Sequence, residues 1–213
     1  MLMRHSVFTL LFVISCFACF AQPKGYSAAK NVESFKTALA QSNAAVQTIS
    51  SDFLQTKNLS LLAEKIKSKG KFFFKKDNKV RIEYTSPFSY LLVMNNGQMM
   101  VKDEQKCSKI NTRNSKMMQS VNRIIIDCMR GSVFQNPDFR VTVYENAQHY
   151  LLSLVPAADA MKKMFSQIDV YMNRKGFDVD RLTMTEQGGD FTNMEFTNTH
   201  HNAPLDEALF KIK

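Results

Sequence analysis

The side chains able to do covalent or metal chemistry are few and scattered. Beyond residue 21 the histidines are His149, His200 and His201, and the cysteines are Cys107 and Cys128. His200 and His201 are adjacent, so on a strand they point to opposite faces and do not form a ligand pair; no metal site is expected. There is no GxSxG elbow, no HExxH and no CxxC, and Gly97, Gly131, Gly176, Gly188 and Gly189 make no phosphate-binding loop. The acidic residues include no pair whose surroundings would drive their pKa values apart. The expectation is a protein that is not an enzyme and takes no cofactor. Cys107 and Cys128 are compatible with a disulfide or with two separate thiols.

Nucleic-acid binding calls for bases interleaved with exposed aromatic rings, and Lys71 to Lys76 with Phe72, Phe73 and Phe74 has that composition. Strand parity argues against it. From Lys65 to Lys75 the residues Lys65, Lys67, Lys69, Lys71 and Lys75 share one face, while Ile66, Ser68, Gly70, Phe72 and Phe74 take the other. Bases stacked on Phe72 and Phe74 would not meet the charge, so no nucleic-acid partner is expected.

The same alternation defines the elements that carry these faces. Val80, Ile82 and Tyr84 alternate with Arg81 and Glu83 up to Pro87, which stops the strand. Leu91–Met94 and Gln98–Lys102 flank an Asn95, Asn96, Gly97 turn and read as a hairpin. Further strands are predicted at 52–57, 109–112, 139–144, 149–156, 165–172, 181–186, 191–198 and 210–213. Two segments have helical spacing instead. One is Ala28–Ile49, through Val32, Phe35, Leu39, Val46 and Ile49. The other is Ser115–Met129, through Met117, Met118, Val121, Ile124, Ile125 and Cys128, with Gly131 placed to end it. The fold class predicted is α+β, mainly antiparallel β: an incomplete curved β-barrel covered by amphipathic helices.

Residues 1–21 place Arg4 and His5 before an apolar run from Val7 to Phe20 and end in Cys19, Phe20, Ala21, the pattern of a cleavable secretory signal peptide. Cleavage leaves a single domain over 22–213, exported to the periplasm. The rival reading makes Cys16 or Cys19 a lipidated residue and the protein a membrane-anchored acceptor. A small outer-membrane barrel fits less well, because two amphipathic helices interrupt the strands and no aromatic residue follows Phe210.

The run Gly70, Lys71, Phe72, Phe73, Phe74, Lys75, Lys76, then Val80, Arg81, Ile82, Glu83, Tyr84 and Pro87, resembles the LolA family of outer-membrane lipoprotein carrier proteins. Phe53, Gln55 and Lys57 look like that family's F-x-Q-x-K strand, Asn96 and Gly97 like its D-G hairpin, and Leu152, Leu154 and Pro156 like its L-x-L-x-P strand. Asn202, Pro204, Leu205 and Phe210 look like its closing segment. The resemblance implies a monomeric periplasmic chaperone. Acylated lipoproteins reach it from an inner-membrane ABC-type release complex and leave it for an outer-membrane acceptor. The rival on the same fold is a lipid-binding sensor or accessory protein. Lys76 stands where the family commonly has an arginine that bonds to the lid, which makes it the latch candidate. Asp77 replaces the usual proline, and lysine lacks the forked guanidinium.

Transfer physics leads to the same kind of site. Moving a chain of about 16 methylenes into water costs on the order of 13 kcal/mol at about 0.8 per CH₂, so crossing an aqueous compartment requires an apolar, non-directional lining. The candidate lining is Phe72, Phe74, Val80, Ile82, Tyr84, Leu92, Leu152, Leu154, Ile168, Val170, Met172, Leu182 and Met184. The candidate lid is Met117, Met118, Val121, Ile124 and Ile125, where unbranched Met adapts to varied shapes.

Composition adds one more feature. The chain has 213 residues, 45% hydrophobic, with 28 Lys+Arg against 19 Asp+Glu and a formal charge of +9, which excludes a disordered or disulfide-framework protein. Most of the excess lies between residues 57 and 81, where nine bases face only Glu64 and Asp77. Its exposed part, Lys65, Lys67, Lys69 and Lys71, reads either as a solvated face that discourages edge pairing or as a docking surface for an acidic partner or anionic headgroups.

Overall fold

The computed structural model describes residues 22–61, 65–111, 123, 124, 126, 127 and 132–212. The strands are β1 (Ser27–Ala28), β2 (Thr48–Asn58), β3 (Lys65–Lys75), β4 (Lys79–Ser86), β5 (Tyr90–Asn95), β6 (Gln98–Lys102), β7 (Cys107–Asn111), β8 (Phe139–Glu145), β9 (His149–Pro156), β10 (Phe165–Asn173), β11 (Val179–Glu186) and β12 (Phe191–His201). Helix α1 (Val32–Ala44) and the single turn α2 (Asp159–Lys162) accompany them.

All twelve strands form one antiparallel sheet in the order β1-β8-β9-β10-β11-β12-β2-β3-β4-β5-β6-β7. Two meanders, β2 to β7 and β8 to β12, are joined where β12 pairs with β2. The two ends of the order, β1 and β7, are not paired with each other, so the sheet is not closed. The predicted antiparallel, incomplete closure is present among the described residues as one open sheet.

The predicted helix over Ala28–Ile49 is shorter at both ends. Ala28 pairs with Tyr144 in β1, and Ile49 pairs with Phe74 in β2. Asn31 starts the helix by accepting a hydrogen bond from the Ser34 N–H at 2.9 Å, a cap of about 1 kcal/mol. At the other end the branched Val46, Thr48 and Ile49 suit a pleated strand better than a helix. Of the predicted Ser115–Met129 helix, Arg123, Ile124, Ile126 and Asp127 are helical; Met117, Met118, Val121, Ile125 and Cys128 lie outside the described residues, as do residues 1–21. Asp127 ties this stretch to the segment leading into β8, accepting from the Ser132 hydroxyl at 2.8 Å and from the Asn136 amide at 2.7 Å.

No strand forms over the described part, 210–212, of the strand predicted at 210–213; Phe210 instead ends a 3-10 turn, Glu207–Phe210. Asp206 caps it by accepting from the Ala208 N–H at 2.8 Å, and charge fixes it to the sheet. Lys75 and Lys79 reach Glu207 at 2.7 and 2.8 Å, while Arg81 grips Glu83 through two nitrogens and donates to the Leu209 carbonyl at 3.1 Å. Phe210 is fully buried. The bonds from Lys75 and Lys79 lower the Glu207 pKa to about 2.

The β3–β4 and β5–β6 turns both rest on left-handed backbone. Asn96 and Gly97 (φ 48° and 75°) close the predicted β5–β6 hairpin. Between β3 and β4, Asp77 and Asn78 have φ of 73° and 63°. Proline cannot adopt that conformation, so Asp77 belongs to a turn of a different build from one carrying proline there.

Gly70 marks a register shift between β3 and β4. A Cβ at this position would collide with the Glu83 carbonyl oxygen and the Phe53 ring. Gly70→Ala is expected to cost about 1–3 kcal/mol, read as a lowered urea midpoint with unchanged slope. Protonation gives a second test. A carboxyl whose folded pKa is depressed contributes fully above its ordinary value of 4.5 and loses that contribution as pH falls toward about 2. Amide protection at Leu209 and Lys211, measured against the intrinsic exchange rate at each pH, should therefore fall over that interval, and Glu207→Gln should remove that fall in protection.

Candidate functional site

Register assigns every strand residue to a face, and it gathers the whole predicted lining on one of them. Phe72 pairs with Ile82 and Ile82 with Leu92; Phe74 pairs with Val80, and Gly70 with Tyr84. Across the other meander, Leu154 pairs with Ile168 and Ile168 with Met184, while Leu152 pairs with Val170 and Val170 with Leu182. Leu182 then pairs with Met194, and Met194 with Gln55 of β2. Met172 joins the face opposite Tyr150.

The face packs as two clusters. The first, around Leu152, Leu154, Ile168, Val170 and Met172, includes Phe35 and Leu39 of α1 and Ile124 of the predicted lid. The second comprises Phe53, Phe72, Phe74, Val80, Met94, Met99 and Met194. Leu182 and Met184 are half-buried and touch both clusters, so the apolar surface is continuous from β8 to β6. Ile82, Tyr84 and Leu92 are also half-buried at the border of the second cluster.

Helix α1 is held over the first cluster by aromatic contacts. The Phe35 ring lies 4.3 Å from Tyr150, 5.9 Å from Phe177 and 6.1 Å from Phe134. Near the helix end, the Ser42 hydroxyl donates to the Gly176 carbonyl at 3.2 Å. A cleft of about 440 Å³, open solvent included, runs from Asn43 to Ile49, Ser51, Phe72 and Phe196, with His201 at its edge. The His201 imidazole stands 2.6 Å from the Asp178 carboxylate, and His149 stands 3.1 Å from Asp180. His200 and His201 sit on β12, past a register shift and beyond the predicted strand end at 198. Among the described residues no three His, Cys, Asp or Glu side chains converge.

A wider, more apolar cleft, about 600 Å³ with open solvent, lies at the opposite end of the face. Ile66, Ser68, Tyr84, Pro87, Phe88 and Tyr90 line it. The Tyr84 hydroxyl donates to Gln55 Oε1 at 2.8 Å, and burial pushes its phenol up to about 12. At this rim the face ends in charge, where Lys57 meets Glu186 at 3.3 Å. At the other end Glu145 stands 3.5 Å from Arg174.

The remaining candidates lie away from this face. Lys65, Lys67, Lys69 and Lys71 are exposed on the side opposite Phe72 and Phe74. Lys71 pairs with Asp52 at 3.6 Å. Lys76 is exposed in the β3–β4 turn, and its backbone N–H donates to the Gln47 carbonyl at 2.8 Å. Cys107 is exposed at the start of β7, whereas Cys128 lies outside the described residues. The lining candidates left out Phe35, Leu39, Phe53, Met94, Met99 and Met194, which the two clusters contain. Parity alone marks Phe53 and Met194, since they share the face of Gly70 and Leu182; burial of Phe35 and Leu39 depends on where α1 lands.

The family model described as "Outer membrane lipoprotein carrier protein LolA" matches residues 44–213. No curated protein matches the sequence significantly. Among solved structures, the chain is similar to a LolA superfamily protein from Nitrosomonas europaea at 10% identity, covering 86% of this chain and 99% of that one, with a TM-score of 0.47. It is similar to the Mycobacterium tuberculosis lipoprotein LppX at 11% identity, covering 81% and 96%, with a TM-score of 0.44. MucB, in the MucA/MucB complex from Pseudomonas aeruginosa, matches at 10% identity over 84% of this chain and 60% of that one, with a TM-score of 0.46.

The Phe35 ring is the tie between α1 and the sheet. Phe35→Ala should cost about 3–5 kcal/mol and raise the fluorescence of a dye that reports exposed apolar surface, measured below the melting transition.

Proposed function

Because the chain belongs to the LolA family, we propose that it carries the acyl chains of lipoproteins between membranes. It is exported to the periplasm by cleavage after residue 21, receives cargo from an inner-membrane ABC-type release complex and delivers it to an outer-membrane acceptor. No covalent step is needed.

The observation that carries this reading is the single apolar face shared by both meanders, with charges only near its ends among the described strand residues. An acyl chain needs length and apolar surroundings rather than directed hydrogen bonds. The thirteen lining residues supply those surroundings along one unbroken surface. In the described structure many of them pack against one another and against α1, so cargo enters by displacing the helical cover. The acyl chain then takes the place of part of the packing that the cover provided, which keeps binding reversible. Unbranched Met94, Met99, Met172, Met184 and Met194 repack around chains of different shape.

The test is Ile82→Glu, which puts a carboxylate on the lining at a half-buried position. A fluorescent fatty-acid probe should bind the wild type and lose at least tenfold affinity in the variant, with the far-ultraviolet circular dichroism unchanged. A folded variant that binds the probe as the wild type does would remove Ile82 and its neighbours from the lining. Lipid extracted from the purified wild type, identified by mass spectrometry, gives the cargo class.

A further inference from the structure

The rim that bears the wider cleft combines two kinds of exposed side chain. The β2–β3 and β4–β5 connections leave the sheet at the same end, since Asn58 pairs with Lys65, Lys69 with Ser86, and Tyr84 with Tyr90. Leu61 is 95% exposed, Phe88 71% and Ile66 48%. Isolated apolar side chains on a surface are ordinary. Here Phe88 and Ile66 flank one apolar cleft, and Leu61 lies on the adjoining connection.

The charge beside them is equally specific. Lys75 and Lys79 are held by Glu207, and Lys71 by Asp52. Lys65, Lys67 and Lys69 are exposed and make no ion pair among the described residues. Among the described residues, unpaired cations therefore border the apolar tips, while Lys71, Lys75 and Lys79 farther along the same face are paired.

We infer that this rim seats on an anionic phospholipid bilayer, with Phe88 and Leu61 entering the headgroup boundary and Lys65, Lys67 and Lys69 meeting the lipid phosphates. An acidic protein surface would satisfy the lysines but leave apolar loop tips without a partner. A bilayer satisfies both, because apolar side chains enter the acyl boundary while cations remain at the phosphates. Tyr84 and Tyr90, with an apolar ring and a polar end, suit the same depth. The inference rests on the carrier reading for its purpose: Tyr84 belongs both to the rim cleft and to the second apolar cluster, so a chain leaving the bilayer here meets the apolar face without crossing water.

Flotation of the purified protein with vesicles of phosphatidylglycerol and phosphatidylethanolamine, against vesicles of phosphatidylcholine alone, tests it. Binding is expected only to the anionic vesicles, and high salt should remove it. Changing Lys65, Lys67 and Lys69 together to Glu should weaken binding by at least about a hundredfold, from roughly fivefold per lysine. Phe88→Trp should show a blue-shifted emission on the anionic vesicles, in a protein that otherwise has no Trp. Equal binding to both vesicle types, no binding at low salt, an unchanged triple variant, or capture by an acidic protein with no vesicle binding would each overturn the inference. The fatty-acid probe separates the two readings. Its retention by the triple variant leaves the carrier intact whatever the vesicles show, and its absence from the wild type defeats the carrier while flotation still decides the rim.

Discussion

Nine residue pairs between β12 and β2 hold together two meanders that lie far apart in sequence. Every strand alternates its side chains with a period of two, so a slip of one residue at this seam would turn one meander's apolar set toward the other's polar set. The observed register puts Met194 beside Gln55 and Phe196 beside Phe53, and the two faces meet. The continuous apolar surface, the shared packing of Leu182 and Met184, and the space under α1 all require that alignment.

The opposite face is divided by its charges. Near the β3–β4 turn, Lys75, Lys79 and Arg81 are committed to the C-terminal turn. Near the rim, Lys65, Lys67 and Lys69 are left to solvent. One basic stripe thus does two jobs: its inner part fastens a chain end, and its outer part remains available. Sequence composition sees only the sum, because a lysine paired with Glu207 and an unpaired one contribute the same formal charge.

Local patterns made most of the strands legible. The β3 and β9 bounds follow from alternation, and the Asn96–Gly97 hairpin follows from turn chemistry. The errors share one cause, which is that the deciding contact is remote. Ile49 continues the helical spacing of Val32 to Val46, yet eleven pairs with β3 claim the segment from Thr48. Phe210 looks like the start of a strand, yet Glu207 and Leu209 are bound to residues well over a hundred positions earlier. That the lining candidates share one face was readable because parity needs no tertiary knowledge. Its aromatic cover was not, because nothing local tells Phe35 that Tyr150 and Phe177 will be beside it.

The position of β12 in the sheet order also bears on how the chain acquires its structure. Strand β2 has only β3 to pair with until residues 191–201 are available, and the far meander is in the same position. Two half-sheets therefore wait with bare edges, each a template for wrong pairing, until Phe191–His201 is present. Such an arrangement delays completion of the sheet during vectorial synthesis, and keeps the two halves apart until β12 emerges.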